Sequence, residues 1–284
     1  MMISFNRQDY FPIKNKTFFK DLIFLFKDIL IDFRLKNNNE IGDISSLSFL
    51  REDSLLFLNG QKNILDVFDK NICIITNEIT NFDFNYENII LVKNLDAAYR
   101  ISLNHIYHHD DNIDYFDDFN YINGSYISKY SKIDKTVRIG KNCTIARGVK
   151  IDKDVIIKSN VSIKNSIILD NVVISDNCTI GSTGFGFDFD NRGALNLSPQ
   201  LGIVYIDSNS YIGSNCCIDR GKIDITYIGQ NCMIDNLVHI AHNVYLSDNA
   251  CIAAQTGISG SVTIGKNSTI GGQSGFAGHI NIGD

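Results

Sequence analysis

Proline is nearly missing from this sequence: there are two in 284 residues, beside 21 glycines. Collagen-like and proline-rich low-complexity chains are thereby excluded. Long hydrophobic runs are missing as well. The longest apolar stretch, Phe18 to Leu30, is broken by Lys20, Asp21, Lys27 and Asp28, and is too short and too charged to span a bilayer. No cationic segment followed by an uninterrupted apolar one opens the chain, so no signal peptide is expected. Positive charge is not in excess. The net charge is −6 and the pI about 5.5, which argues against a general nucleic-acid binder. Seven cysteines, an odd number without a Cys-x-x-Cys pair, suggest neither a disulfide framework nor a zinc ribbon. What is present is ample core material: 44% hydrophobic residues, 18 Phe and a mean hydropathy of −0.03. That suffices for one large domain or two modest ones and excludes a wholly disordered chain. The expectation is a soluble, cytoplasmic protein without a transmembrane segment.

The second half is organised by a period of six. Isoleucines recur at 127, 133, 139, 145, 151, 157 and 163, slip one residue to Ile168, and resume at Ile174 and Ile180. The series returns at Ile206, Ile212 and Ile218, slips again, and runs from Ile228 to Ile282 with Leu246 and Phe276 in two of the places. A spacing of six matches neither helix nor alternating strand. It suits one side of a triangular prism: a short strand, a tight turn and one large aliphatic residue pointing inward. Three sides make an 18-residue coil, and coils stack about 4.8 Å apart through parallel strand pairing. A small inward residue is expected two before each aliphatic. Cys143, Cys178, Cys216, Cys232, Ala250 and Ser268 stand there, which makes those four cysteines core residues. Gly and Asn crowd the turns, as in Ile139-Gly-Lys-Asn142, where left-handed conformations are needed. The predicted fold is a parallel β-helix; its left hand follows from likeness to hexapeptide-repeat proteins, not from the spacing.

The repeat is lost from Gly181 to Gly202, and the segment Gly181–Asp190 carries three aromatics, Phe185, Phe187 and Phe189. A prism buries its apolar residues inside, so this loop should cover something else: a partner subunit, an apolar ligand or its own coil. The N-terminal part reads as a separate α/β domain, residues 1–108, ahead of a β-helix domain at 109–284. Apolar residues at 18, 19, 22, 23, 26, 29 and 30 predict an amphipathic helix over Thr17–Leu30. Strand-like runs follow at Leu47–Leu50, Leu55–Leu58, Ile72–Thr76 and Ile89–Val92, then a helix over Asp96–His108. The acidic run Asp110–Asp118 reads as a solvated connection.

A β-helix is a rigid scaffold, so function belongs on its outer faces or between subunits. His105, His108 and His109 lie at the polar end of a helix and read as surface. His239, His242 and His279 lie in the last third of the chain. His242 follows the inward Ile240 by two, hence sits outward at a turn, and Gly260 and Gly278 follow it at steps of 18. A turn histidine beneath glycines offers a base and exposed backbone N–H groups, the pair needed to activate a nucleophile and hold an oxyanion. Histidines on such prisms also bind zinc between subunits, an alternative the spacing leaves open. Because His242 lies on an outer edge, a homotrimer with sites in the clefts between prisms is expected.

Several strings then carry a family resemblance: Gly184-Phe-Gly-Phe187, Pro199-Gln-Leu-Gly202, Ile218-Asp-Arg-Gly221, Ile234-Asp-Asn-Leu-Val-His-Ile-Ala-His-Asn-Val244, Gly257-Ile-Ser-Gly-Ser261, Ile270-Gly-Gly272 and Gly275-Phe-Ala-Gly-His279. Together they resemble the UDP-3-O-acylglucosamine N-acyltransferases of lipid A biosynthesis, strongly after residue 180 and weakly before 110. The resemblance implies that His242 is a general base. It would deprotonate the 2-amino group of UDP-3-O-(3-hydroxyacyl)glucosamine for attack on a 3-hydroxyacyl-acyl carrier protein thioester. It also implies that the Gly260 amide holds the oxyanion, and that Asp235 and Asn236 orient the sugar or the imidazole. His279 would line the phosphate or acyl side, and His239 would be a contact residue or bystander. Phe185, Phe187 and Phe57 are the expected aromatic contacts to substrate. The partners implied are acyl carrier protein and a UDP-sugar lipid precursor, with no cofactor or metal, in the cytoplasm of a Gram-negative bacterium near the inner membrane.

Two departures accompany it. Where the family's uridine pocket has Phe, then Asn and Tyr at successive steps of three, this chain has Phe57, Gly60 and Asn63, with Asn59 one residue out of step. Nucleotide affinity is therefore expected to be reduced or supplied differently. Family members also continue past the last glycine-rich coil into a helical tail, whereas this sequence stops in mid-repeat at Gly283-Asp284, as a truncated or shortened form would. Two other classes share the prism: an acetyl-CoA-dependent amino-sugar N-acetyltransferase, and a zinc enzyme with histidines from two subunits.

Overall fold

The computed structural model describes residues 3–60, 71–82, 86–109, 119–189 and 193–283. Asn63 and the acidic run at 110–118 lie outside them. The chain divides into two compact units: residues 1–109 with 186–199, and residues 110–185 with 200–284.

In the first unit, five strands form one sheet: β1 (Leu30–Leu35), β2 (Asp43–Ser45), β3 (Ser54–Leu58), β4 (Cys73–Thr76) and β5 (Asn88–Val92), in the order β1-β5-β4-β3-β2. β2 to β5 are parallel, and β1 closes the edge antiparallel to β5. Every residue of β4 and β5 is buried, which explains why both are apolar apart from Thr76 and Asn88 at their ends: both faces of a parallel sheet are covered. The helix α3 (Leu95–Ile106; α1 and α2 are Asp21–Leu25 and Ile79–Phe82) starts at Asn94, whose side-chain oxygen accepts from the Ala97 N–H at 2.9 Å. Two sequence expectations fail here. The helix predicted over Thr17–Leu30 is only α1, because the chain turns at Phe26, whose carbonyl accepts from both Ile29 and Leu30, and then enters β1. Leu47–Leu50 is a turn, its Ser46 hydroxyl accepting from the Phe49 N–H, and the strand lies just before it as β2.

The aromatic segment divides between the two units, Phe185 falling in the second. Phe187–Phe189 and Leu195–Leu197 pair as an antiparallel hairpin that belongs to the first unit. Its aromatics stay exposed, and what it buries is Asp188, whose two carboxylate oxygens accept from Arg100 Nε at 3.1 and 3.0 Å.

The second unit is the left-handed parallel β-helix that the period of six predicts. Strands containing Ile145, Ile163, Ile180, Ile218, Ile240 and Ile258 stack in register on the first face. Ile151, Ile168, Ile206, Ile228 and Leu246 do so on the second, and Ile157, Ile174, Ile212, Ile234 and Ile252 on the third. All of these are buried, each contributing about 2 kcal/mol of apolar burial. The six small residues expected beside them are buried too. The corners carry left-handed residues, mostly asparagine, whose carboxamides bond from coil to coil, as in Asn142–Asn160–Asn177 at 3.2 and 3.1 Å.

One corner breaks the rule. The intervals that depart from six are Ile163 to Ile168, Ile180 to Ile206 and Ile218 to Ile228, and all three lie between the first and second faces. The other two corners keep their length throughout. The irregular corner is the one that His242 occupies.

Candidate active site

His242 follows Ile240 out of the first face and is half-buried at this corner. Gly260 sits one coil further on. A Cβ there would stand 2.6 Å from Cε1 of His242 and 2.8 Å from its Nε2, so only glycine lets the imidazole lie where it does. The φ of Gly260 is not left-handed, so close approach is the requirement, not backbone freedom. Its N–H has no acceptor among the described residues. On the other side, a Cβ at Gly184 would be 3.0 Å from both Cβ and Cδ2 of His242. Gly184 is held there by its N–H, which donates to Oε1 of the buried Gln200 at 2.8 Å.

The ring's tautomer follows from Asn243. Its Oδ1 lies 2.9 Å from the Lys222 nitrogen, which donates to it, and 3.2 Å from Nδ1 of His242. A carboxamide oxygen can only accept, so Nδ1 carries the proton and Nε2 the lone pair. Thr226, fully buried, fixes the asparagine by accepting its backbone N–H at 2.9 Å.

A cavity of about 610 Å³ opens beside the ring, lined by Phe185, Asp219, His239, His242 and Phe276, with Gly257, Gly260 and Gly275. Gly257 and Gly275 face open space, leaving a smooth floor above His239. Asp219 is 6% exposed. Its Oδ1 accepts from the Ser182 hydroxyl at 2.7 Å, and its Oδ2 lies 3.6 Å from Nε2 of His239. Burial pushes its carboxyl above the ordinary value, while the Ser182 bond and the fields of His239, His242 and Arg220 pull the other way. Arg220, also buried, donates from Nε to the Gln200 carbonyl and from Nη1 to that of Gly181, tying together both ends of the long excursion.

The structure brings together His242, Gly260, His239 and Phe185 of the residues singled out by sequence. Others are elsewhere. Asp235 and Asn236 follow Ile234 at the corner between the third and first faces, away from His242; Asp235 Oδ1 accepts from the Asn236 N–H, and Asn236 Oδ1 from that of Ser214. His279 takes the left-handed position of Asn243 and Ser261, with its backbone N–H on the Gly260 carbonyl, and its ring does not line the cavity. Phe187 and Phe57 belong to the first unit, where Phe57 meets Tyr99 edge-on at 5.0 Å. Asp219 and Asn243 stood in the quoted strings without an assigned role; only their positions relative to His242 reveal one. Among the described residues no group of three His, Cys, Asp or Glu side chains is arranged to hold a metal, and no helix is long and apolar enough to cross a membrane.

Several known proteins are similar to parts of this chain. A family model described as bacterial transferase hexapeptide (six repeats) matches residues 225–260, and one described as the GMPPB C-terminal domain matches 124–187. The C-terminal part of the chain is similar to UDP-3-O-acylglucosamine N-acyltransferases. That of Caulobacter vibrioides is 45% identical over 78 residues, 28% of this chain and 23% of the relative; that of Methylacidiphilum infernorum is 46% identical over 78 residues, 28% and 22%. The chain thus spans less than a quarter of the length of these curated relatives. Among solved structures, UDP-N-acetylglucosamine O-acyltransferase from Moraxella catarrhalis matches with a TM-score of 0.53 and 26% identity, over 57% of this chain and 62% of that one. LpxA from Acinetobacter baumannii, at a TM-score of 0.52 and 24% identity over 57% and 62%, adds the fold alone.

Proposed function

We propose that this chain is an acyltransferase that moves a 3-hydroxyacyl group from acyl carrier protein to the 2-amino group of UDP-3-O-(3-hydroxyacyl)glucosamine, a step of lipid A biosynthesis in the cytoplasm. The observation that carries this reading is His242 held between Gly184 and Gly260, with Nδ1 committed to Asn243 and Nε2 left as the basic nitrogen. Nε2 removes a proton from the amine as its nitrogen attacks the thioester carbonyl carbon. The Gly260 N–H receives the oxyanion. The C–S bond breaks, and the imidazolium returns a proton to the departing thiolate. From an ammonium acceptor, one proton ends on the thiol, one stays on the amide and one leaves to solvent. The glycine floor and the apolar Phe185 and Phe276 suit an acyl chain beside the base.

Asp235 and Asn236, one corner away, reach such a site only from another copy, which favours a homotrimer with clefts shared between prisms. Phe57, beside Tyr99, is the proposed uracil contact of the first unit. The test is amide formation, followed by mass spectrometry, with UDP-3-O-acylglucosamine and hydroxyacyl-carrier donors. Product from wild type and none from His242→Ala supports the reading. Acylation only from acetyl-CoA would replace it with the N-acetyltransferase alternative.

A further inference from the structure

We propose that Asp219 is the residue that recognises the acceptor's amino group, binding it as an ammonium beside His242 and making the site selective for amines over hydroxyls. This rests on the reading of His242 as the base for acyl transfer, and adds to it a specificity determinant that His242 cannot supply: imidazole deprotonates an alcohol and an amine alike.

Placement comes first. Asp219 directly follows the inward Ile218, whose Cα partner in the next coil is Ile240, so the carboxylate emerges one coil before His239 and His242, on the wall of the same cavity. A carboxylate this buried is costly unless a cation faces it. Within the chain its compensation is incomplete. Ser182 satisfies Oδ1 with a neutral hydroxyl, and the His239 nitrogen lies at 3.6 Å from Oδ2, beyond hydrogen-bond length. Arg220, the next residue, directs Nε and Nη1 to two main-chain carbonyls. The elevated carboxyl pKa records the same imbalance, with burial outweighing the partners present.

The cavity's own chemistry decides what completes it. Among the described residues its charged or titratable lining consists of Asp219, His239 and His242, with no lysine or arginine. A phosphate or carboxylate would meet a like charge there; a cation would meet its counter-ion. An amine acceptor is the one reactant of the proposed reaction that is cationic near neutral pH. Oδ2 accepts one of its N–H bonds, His242 takes another of its protons, and the lone pair so uncovered faces the thioester. After deprotonation the neutral amine still donates to Oδ2, so the contact orients the nucleophile through the step. A hydroxyl acceptor offers one proton, not enough to serve carboxylate and base together.

The experiment measures binding apart from catalysis. In a His242→Ala background, calorimetry gives Kd for UDP-3-O-acylglucosamine and for its 2-hydroxy analogue, UDP-3-O-acylglucose, with and without Asp219→Asn. The expected result is tighter binding of the amine than of the hydroxyl compound, and a loss of roughly 10- to 100-fold for the amine alone in the Asn variant, as for one charge-assisted hydrogen bond. His239→Ala should leave the amine preference in place. Equal affinity for the two acceptors without Asp219→Asn overturns the proposal and needs no Asp219 variant at all. So does a Asp219→Asn effect shared by both acceptors, or reproduced by His239→Ala, which would make Asp219 a partner of His239 only. If wild-type protein forms no amide yet still prefers the amine, the proposed function fails and the assignment of Asp219 stands.

Discussion

Nδ1 of His242 lies 3.2 Å from Oδ1 of Asn243, an oxygen whose position is set by the Lys222 N–H. That one contact chooses which imidazole nitrogen is basic. Asn243→Asp keeps the acceptor and tolerates the left-handed backbone there, but it places a charge beside the ring. A neighbouring carboxylate favours imidazolium, so the base form is reached only at higher pH. The acid limb of the pH profile of kcat/KM should move up by about one unit with little change in the plateau.

His242→Ala should lower turnover by about 100- to 10,000-fold, the usual range for a general base, with the melting temperature unchanged. His239→Ala should cost about tenfold at most, since its ring is more exposed and lies next to the glycine floor as a contact. Steady-state kinetics on both variants separate the two roles. Equal losses would mean that the histidines act as a unit.

Gly260→Ala tests the close approach directly. The new Cβ would overlap the imidazole at 2.6 Å, so the ring must swing away while the backbone stays unstrained. A fall in kcat of about 100- to 1000-fold with a near-native melting curve is expected. Gly257→Ala, whose Cβ would meet nothing within 4 Å, should fold equally well and is the control for stability.

Arg220→Met removes the donors to the Gly181 and Gln200 carbonyls. Buried acceptors left without partners cost about 1–3 kcal/mol each, so thermal unfolding should begin several degrees lower. Turnover should fall as well, because Gln200 is what holds Gly184 against His242. Arg220→Lys, which lacks the planar fork, should rescue little of either.

Asp219→Asn should raise stability at neutral pH. The folded-state carboxyl pKa is raised, so the native form binds its proton more tightly than the unfolded chain does. Its stability contribution is full below the ordinary carboxylate value and is lost as pH climbs to the raised one. Denaturation midpoints of wild type and variant should therefore converge in acid and separate toward neutrality, with the variant higher.

The solenoid was legible because each coil repeats one physical requirement, an inward aliphatic residue every six positions, more than twenty times over. The N-terminal unit offered no such redundancy. Its Phe26-to-Leu30 turn copies the apolar spacing of a helix, and periodicity alone could not tell the two apart. In the site, spacing by 18 found His242 and Gly260 because they share a column. Asp235 is seven before His242, one strand-and-turn plus one residue, which already puts it on the preceding corner. Asp219 and Gly184 were hidden because the intervals that place them are the irregular ones, where counting by coils no longer measures position. In the hairpin at 187–197 the aromatics are conspicuous in the sequence, but the charge pair of Asp188 and Arg100 is not, because 88 residues separate its members.

Every irregular interval falls at one corner, and this predicts an uneven pattern of amide protection along a body that otherwise repeats. At the two regular corners, N–H groups such as those of Asn160, Asn177, Asn249 and Asn267 donate to the preceding coil, and they should exchange with deuterium only when several coils open together. At the irregular corner some main-chain bonds persist, as from Arg220 to Ser182 and from Leu201 to Lys222, but the N–H groups of Gly184, Lys222 and Asn243 donate to the side chains of Gln200, Asn243 and Thr226 instead. Exchange of those three amides should be faster, proceed by local opening, and slow when an acceptor occupies the cavity. The prism would then be stiff along two of its edges and responsive along the third.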